Sequence, residues 1–388
     1  MRRSFCSVFI LMIVIVMICG CFSEEKVITA DMRGGKVNER NGKDDVRNNN
    51  AFKRDLIEEQ LNSMTLAEKI GQMVMVGVHD TEVNDDIRFL LNEFHFGGVI
   101  FFDRNMESVE QIKKFVNDIE TVANQKVPML FALDEEGGQI ARGQDFLPPA
   151  PSQESIGLNG NPDDAKYWAK YNASLLKSIG VNINFAPVAD VGSRDTRSFS
   201  DNAYVVTEFV EATVQGYEED NFLYTLKHFP GIGRSKIDPH QKVSNIDVDL
   251  DTLNAEDILP FKEIISRHDN TNFMVMVGHL KYDAIDPANS ASLSPIVITE
   301  LLRNELGFSG VVITDDLEMG AIKNNVDLST LGVRMIQAGG DIALVCHEYA
   351  SQQIVYNSIF NAVKRGDISE ARINESVRRI LKLKSNLL

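Results

Sequence analysis

Phe222-Leu223-Tyr224-Thr225-Leu226-Lys227-His228-Phe229-Pro230-Gly231-Ile232-Gly233-Arg234-Ser235-Lys236-Ile237-Asp238-Pro239-His240 joins two kinds of chain in a single stretch. Phe222 to Leu226 is a short, largely apolar run that reads as a buried strand. Two Pro and two Gly follow and break regular structure, so the reading from Lys227 onward is a loop. That loop carries a Lys, two His and an Asp. A cation, a group titrating near neutrality and a carboxylate at a strand end are the parts of an acid–base site. An isolated Asp-x-His is more often incidental than catalytic. Its weight depends on the partners the rest of the chain supplies.

Working outward, the same unit recurs. Thr65-x-x-Glu68 is a capping box that starts a helix containing Ile70 and Met73. Short apolar runs then alternate with longer amphipathic stretches. The runs are Met73 to Val78, Gly98 to Phe102, Met129 to Leu133, Val181 to Phe185, Phe222 to Leu226, Phe273 to Val277, Gly310 to Ile313 and Ile342 to Val345. Helical patterns between and after them include Val109 to Ala123, Ala165 to Ile179, Leu259 to Arg267, Ile298 to Leu306, Leu328 to Ala338 and Ala371 to Leu383. Eight strands alternating with helices predict an α/β fold with a parallel sheet, a (β/α)₈ TIM-type barrel forming a single catalytic domain over residues 53–388. An open doubly wound sheet is the competing architecture, but no Gly-x-Gly-x-x-Gly follows the first strand. Polar residues sit just past the strand ends: Arg104, Asp134, Asp190, Lys227, His228, His279, Asp315 and His347. A barrel gathers all of these at one rim.

The N-terminus reads differently. Arg2 and Arg3 precede the apolar stretch Val8 to Ile18 and then Cys19-Gly20-Cys21, the layout of a secretory signal. The stretch is short of the ~20 apolar residues that crossing a membrane requires. Ile18-Cys19-Gly20-Cys21 resembles a bacterial lipobox, which implies removal of residues 1–20 and a lipid on Cys21. Residues 21–52, polar and including Asn48-Asn49-Asn50, read as a flexible tether. The expected location is outside the cell, lipid-anchored to the outer side of a bacterial membrane. Of the four Cys, only Cys346 would remain free, so no intrachain disulfide is expected in the mature protein. The net charge of −17 and a pI near 4.9 argue against nucleic acid or an anionic membrane surface as a partner.

Thr314-Asp315-Asp316-Leu317 follows Gly310 to Ile313. An Asp at a strand's C-terminal end is placed as a nucleophile, and equally as the N-cap of the next helix. Two adjacent Asp permit both roles. In order along the chain, Asp134-Glu135-Glu136-Gly137-Gly138, Lys227-His228-Phe229-Pro230-Gly231, Asp238-x-His240 and Thr314-Asp315-Asp316-Leu317-x-Met319 together resemble glycoside hydrolase family 3, in its bacterial β-N-acetylhexosaminidase branch. The similarity runs from about residue 60 to the C-terminus. It implies retaining hydrolysis of β-N-acetylglucosaminides through a covalent glycosyl-enzyme. Asp315 matches the family's nucleophile, and His240 its acid/base with Asp238 as partner. Asp134, Arg142, Arg197, Lys227 and His228 match the residues that hold the sugar.

A His in the acid/base role departs from the usual pair of carboxylates. Within the family pattern this chain departs at Ile232, where a second His is usual, at Pro239 in place of Ser, and at Gln139 in place of Arg. His79, His95 and His268 read as surface or packing residues, His279 as satisfying a backbone group, and Trp168 as core. The resemblance implies an amino-sugar glycoside, with peptidoglycan fragments as the natural source, and neither cofactor nor metal. The alternatives are a phosphate-dependent or other β-glycosidase of the family, a non-catalytic lipid-anchored sugar-binding protein, and a metal hydrolase using His228, Asp238 and His240. No other residues offer zinc-like spacing to support the last of these.

Overall fold

The computed structural model describes residues 54–192, 195–235, 245–323 and 326–388. Each of the eight apolar runs becomes a strand: β1 Val74–Gly77, β2 Gly98–Ile100, β3 Leu130–Leu133, β4 Ile183–Asn184, β5 Leu223–Phe229, β6 Phe273–Val277, β7 Val311–Thr314 and β8 Ala343–Val345. They pair in parallel in the order β8-β1-β2-β3-β4-β5-β6-β7. Every residue of these strands is buried. Both faces of such a sheet are covered, which is why the runs are continuously apolar rather than alternating.

The sheet closes on itself. Ile313 bridges Ile342 in parallel, with Thr314 N–H on the Ile342 carbonyl at 3.1 Å. This seam excludes the open sheet, which would leave two unpaired edges. Asp341, fully buried, fastens the seam from below. One oxygen accepts the Val312 N–H at 2.9 Å and Arg303 at 2.6 Å; the other accepts Ser376 at 2.6 Å and Arg379 at 2.9 Å. These partners hold the carboxyl below the usual carboxylate range although burial opposes the charge.

The surrounding helices follow from local chemistry. α1, Leu66–Gln72, starts at the Thr65–Glu68 capping box that the sequence predicts. α2, Asp85–Phe94, is capped by Asn84 and buries Ile87, Leu90, Leu91 and Phe94 along one face. α3, Val109–Ala123, is capped by Ser108 and coincides with its predicted range. The ring continues with α4 Pro162–Ser178, α5 Ala203–Glu219, α6 Leu259–Arg267, α7 Ile296–Glu305, α8 Leu328–Ala338, α9 Tyr349–Arg365 and α10 Glu370–Lys384. Each fully buried aliphatic on these faces contributes about 1.5–3 kcal/mol.

One boundary differs from the sequence reading. β5 does not end at Leu226 but carries Lys227 and His228 to Phe229. Their backbone groups still find partners. Lys227 N–H meets the Pro187 carbonyl at 3.3 Å, the Lys227 carbonyl accepts from Ala189 at 2.6 Å, and His228 N–H meets Asp190 at 3.1 Å. The chain leaves the sheet only where Pro230 has no N–H to offer.

Candidate active site

The C-terminal ends of the strands open onto a cavity of about 500 Å³, a size suited to a small-molecule ligand. Asp134 follows β3, Lys227 and His228 close β5, and Asp315 follows β7; Arg142 and Arg197 reach in from the loops after β3 and β4. All six residues line this cavity. Asp238 and His240 lie within 236–244, and Cys21 within 1–53, outside the described residues.

Charge organises the wall between β3 and β5. Lys227, fully buried, places its ammonium 2.6 Å from both Asp134 Oδ1 and Glu136 Oε1. Arg197 grips Glu136 in a two-pronged pair, Nε and Nη2 each at 2.8 Å. Burial opposes charge on Glu136, but Lys227 and Arg197 outweigh it and hold the carboxyl far below the usual range. In return, Asp134 and Glu136 raise the Lys227 ammonium above its ordinary value against the effect of burial. Glu136, Lys227 and Arg197 are therefore ionised across the physiological range.

Lys227 and His228 are joined by a cis peptide, and both face the cavity, where neighbours on a regular strand would alternate. His228 Nδ1 lies 2.8 Å from Asp190 Oδ2, which fixes the N–H on that nitrogen. Nε2 is left toward the pocket, 3.4 Å from Arg197 Nη2. Asp190 Oδ1 also accepts the Ile232 N–H at 2.9 Å, so the residue standing where the family usually has His is tied to the same carboxylate.

The adjacent aspartates divide their roles. Asp315 lines the cavity, with one oxygen accepting the Asp316 N–H at 2.8 Å. Burial would raise its pKa, but the His228 and His279 imidazoles, that N–H and Lys227 prevail and hold it below the usual carboxylate range. Asp316 caps the following turn, accepting from Glu318 N–H and Cys346 N–H at 3.1 Å. Its other oxygen lies 3.2 Å from His347 Nε2 and raises that imidazole's pKa.

Arg142 lies 5.5 Å over the Phe102 ring and 3.1 Å from Asp103. Arg104 packs on the same ring at 4.5 Å and bonds the Val78 and Cys346 carbonyls. His279 meets Ser292 Oγ and the Asp316 carbonyl, the structural role read from the sequence. His268 differs from its reading as a surface or packing residue. Its ring sits between Glu211 at 3.1 Å and Glu218 at 2.9 Å, which raise its pKa although burial works the other way. Trp168 is only partly buried, edge-on to Tyr167 and Tyr171 on α4.

Glu136 and Asp190 are the residues to which the sequence reading assigned no role. Both were visible as carboxylates at strand ends, but neither motif says which cation it will meet. Among the described residues, no group of three or more His, Cys, Asp or Glu is arranged to hold a metal ion.

Residues 65–383 match the family described as "Glycosyl hydrolase family 3 N terminal domain". Over 337 residues the chain is 32% identical to "Beta-hexosaminidase A" of Pseudoalteromonas piscicida, covering 79% of this chain and 56% of that protein. It is 34% identical over 285 residues to "Beta-hexosaminidase" of Stenotrophomonas maltophilia (strain K279a), covering 71% of this chain and 83% of that one. A solved glycoside hydrolase family 3 beta-N-acetylglucosaminidase from Paenibacillus sp. str. FPU-7 superposes with a TM-score of 0.80 at 35% identity, covering 84% of this chain and 63% of that chain. The chain thus spans little more than half the length of the Pseudoalteromonas relative. On the family match, the closed barrel and these relatives, this chain belongs to glycosyl hydrolase family 3.

Proposed function

We propose that the protein is a retaining exo-β-N-acetylglucosaminidase that releases terminal N-acetylglucosamine from cell-wall fragments or related glycosides. The supporting observation is an ionised Asp315 in one cavity with the cations Lys227, Arg142 and Arg197, the acceptors Asp134 and Glu136, and His228. In this reading, an Asp315 oxygen forms a bond to the anomeric carbon as the glycosidic bond breaks. His240, paired with Asp238, passes its proton to the departing oxygen. Water then attacks the anomeric carbon, gives its proton to His240 and frees Asp315. Asp134, Arg142, Arg197, Lys227 and His228 hold the sugar by charged hydrogen bonds that strengthen as the transition state forms. A lipid on Cys21 would keep this activity at a membrane surface.

Turnover of a nitrophenyl-β-N-acetylglucosaminide tests the reading. Asp315→Ala is expected to lower kcat by about 10⁴-fold with the fold intact. Wild-type activity in that variant would sink the nucleophile assignment, and an inactive wild type would favour a sugar-binding protein. N-acetylglucosamine 1-phosphate as the main product in phosphate buffer would replace hydrolysis with phosphorolysis.

A further inference from the structure

Glu135 stands between two carboxylates of the pocket wall but does not line the cavity. Its side chain turns inward and is 1% exposed. The backbone is tied at three points: N–H to Asn184 Oδ1 at 3.0 Å, and the carbonyl to Asn184 and Asn172 Nδ2 at 2.8 and 3.2 Å. Its Oε2 accepts the Arg142 N–H at 3.0 Å. Between these two residues the chain makes a tight turn. Glu136 and Gly137 both donate to the Ile140 carbonyl, at 2.9 and 3.1 Å. Arg142 is thus held through its backbone by Glu135 and through its guanidinium by Asp103, while its buried Nε has no partner.

We propose that Glu135 is a positioning residue for substrate binding, whose buried carboxyl holds the 135–143 turn that presents Arg142 to the sugar. This rests on the reading of the cavity as a sugar site. The neutral form follows from what surrounds the group. Oε1 is buried without a partner, so either form leaves one atom unanswered, and an unanswered charge costs far more than an unanswered hydroxyl. Asp103 and Asp134 repel a charge there, Arg142 attracts it, and Tyr217 on α5 beneath is held neutral by burial. Burial dominates, and the carboxyl is pushed up to about 8. Below that pH the turn is held; above it, the charge draws the carboxyl toward water and frees Arg142.

The test compares wild type, Glu135→Gln and Glu135→Ala between pH 6.5 and 9.5 on the nitrophenyl glycoside. Glu135→Ala is expected to raise KM by about tenfold below pH 8, with a much smaller change in kcat, and to converge with wild type above it. Wild type should show KM rising above pH 8, and Glu135→Gln, which mimics the neutral acid, should keep a low and flat KM. Amide exchange of the peptide spanning 136–143 gives a readout independent of turnover. Protection should fall above pH 8 in wild type, persist in Glu135→Gln and be absent in Glu135→Ala. If wild type proves inactive on the glycoside, the exchange pattern still decides the role of Glu135. An unchanged KM in Glu135→Ala, a Gln variant as impaired as the Ala variant, or identical exchange in all three overturns it.

Discussion

Glu136 carries two cations on one carboxylate, and their distances make it the hinge of the charged cavity wall. Glu136→Gln keeps the shape and removes the charge. Lys227 retains Asp134, but Arg197 loses its two-pronged partner and keeps only Asp195 at 3.9 Å, a change costing about 2–4 kcal/mol. The folded-state pKa of Glu136 lies below its ordinary 4.5, so its contribution is complete above that pH and is lost as pH falls toward the folded value. Urea unfolding at pH 7 and pH 3.5 should therefore show a wide gap between wild type and variant that narrows in acid. A gap of equal width at both pH values would refute the argument. kcat/KM at pH 7 should fall at least about tenfold. At this scale the sequence offered three acids after β3 without saying which two turn toward Lys227.

At the scale of elements, α10 shows how a helix end can carry a strained charge. Its predicted stripe of Ile373, Val377, Ile380 and Leu381 packs against the barrel as the periodicity required. The last turn also buries Lys384, whose ammonium donates at 2.6 Å to Gln72 Oε1 and to the Gly97 carbonyl. Among the described residues no carboxylate pairs with it, and burial alone lowers its pKa to about 7. Between pH 7 and the unfolded value of 10.5, unfolding takes up a proton, so stability should rise with pH across that window. Lys384→Met removes the titrating group but leaves two acceptors unanswered. The stability of wild type relative to Lys384→Met should therefore grow by a few kcal/mol from pH 6 to pH 9.5. Unfolding curves that stay parallel across that range would contradict the assignment. β5 shows the reverse limit of local reading. Its sequence looks like a loop from Lys227, yet the segment after β4, through Pro187, Ala189 and the Asp190 side chain, satisfies the backbone of Lys227 and His228.

The whole molecule is strongly acidic, with a net charge of −17. Such a chain is repelled by an anionic membrane surface, so attachment to one would need an anchor rather than a basic patch. The proposed anchor at Cys21 is tested by detergent phase partition of the full chain expressed in a bacterium. Wild type is expected in the detergent phase and Cys21→Ala in the aqueous phase; a wild type found in the aqueous phase removes the anchor.

What the sequence determined by itself was the barrel. Eight apolar runs, helix caps such as Thr65–Glu68 and one-sided stripes such as that of α10 are local signals, because backbone bonding and burial periodicity act over a few residues. It also placed Asp134, Lys227, His228 and Asp315 at one rim, and the family resemblance added Arg142 and Arg197 to the same site. Only the tertiary structure decided which charges meet. Lys227 finds Asp134 and Glu136 about 90 residues away, Asp190 in the loop after β4 orients His228, and Asp316 rather than Asp315 caps the turn. Ion-pair partners are chosen by distance and by exclusion of water, and both come into being only when the ring of strands closes.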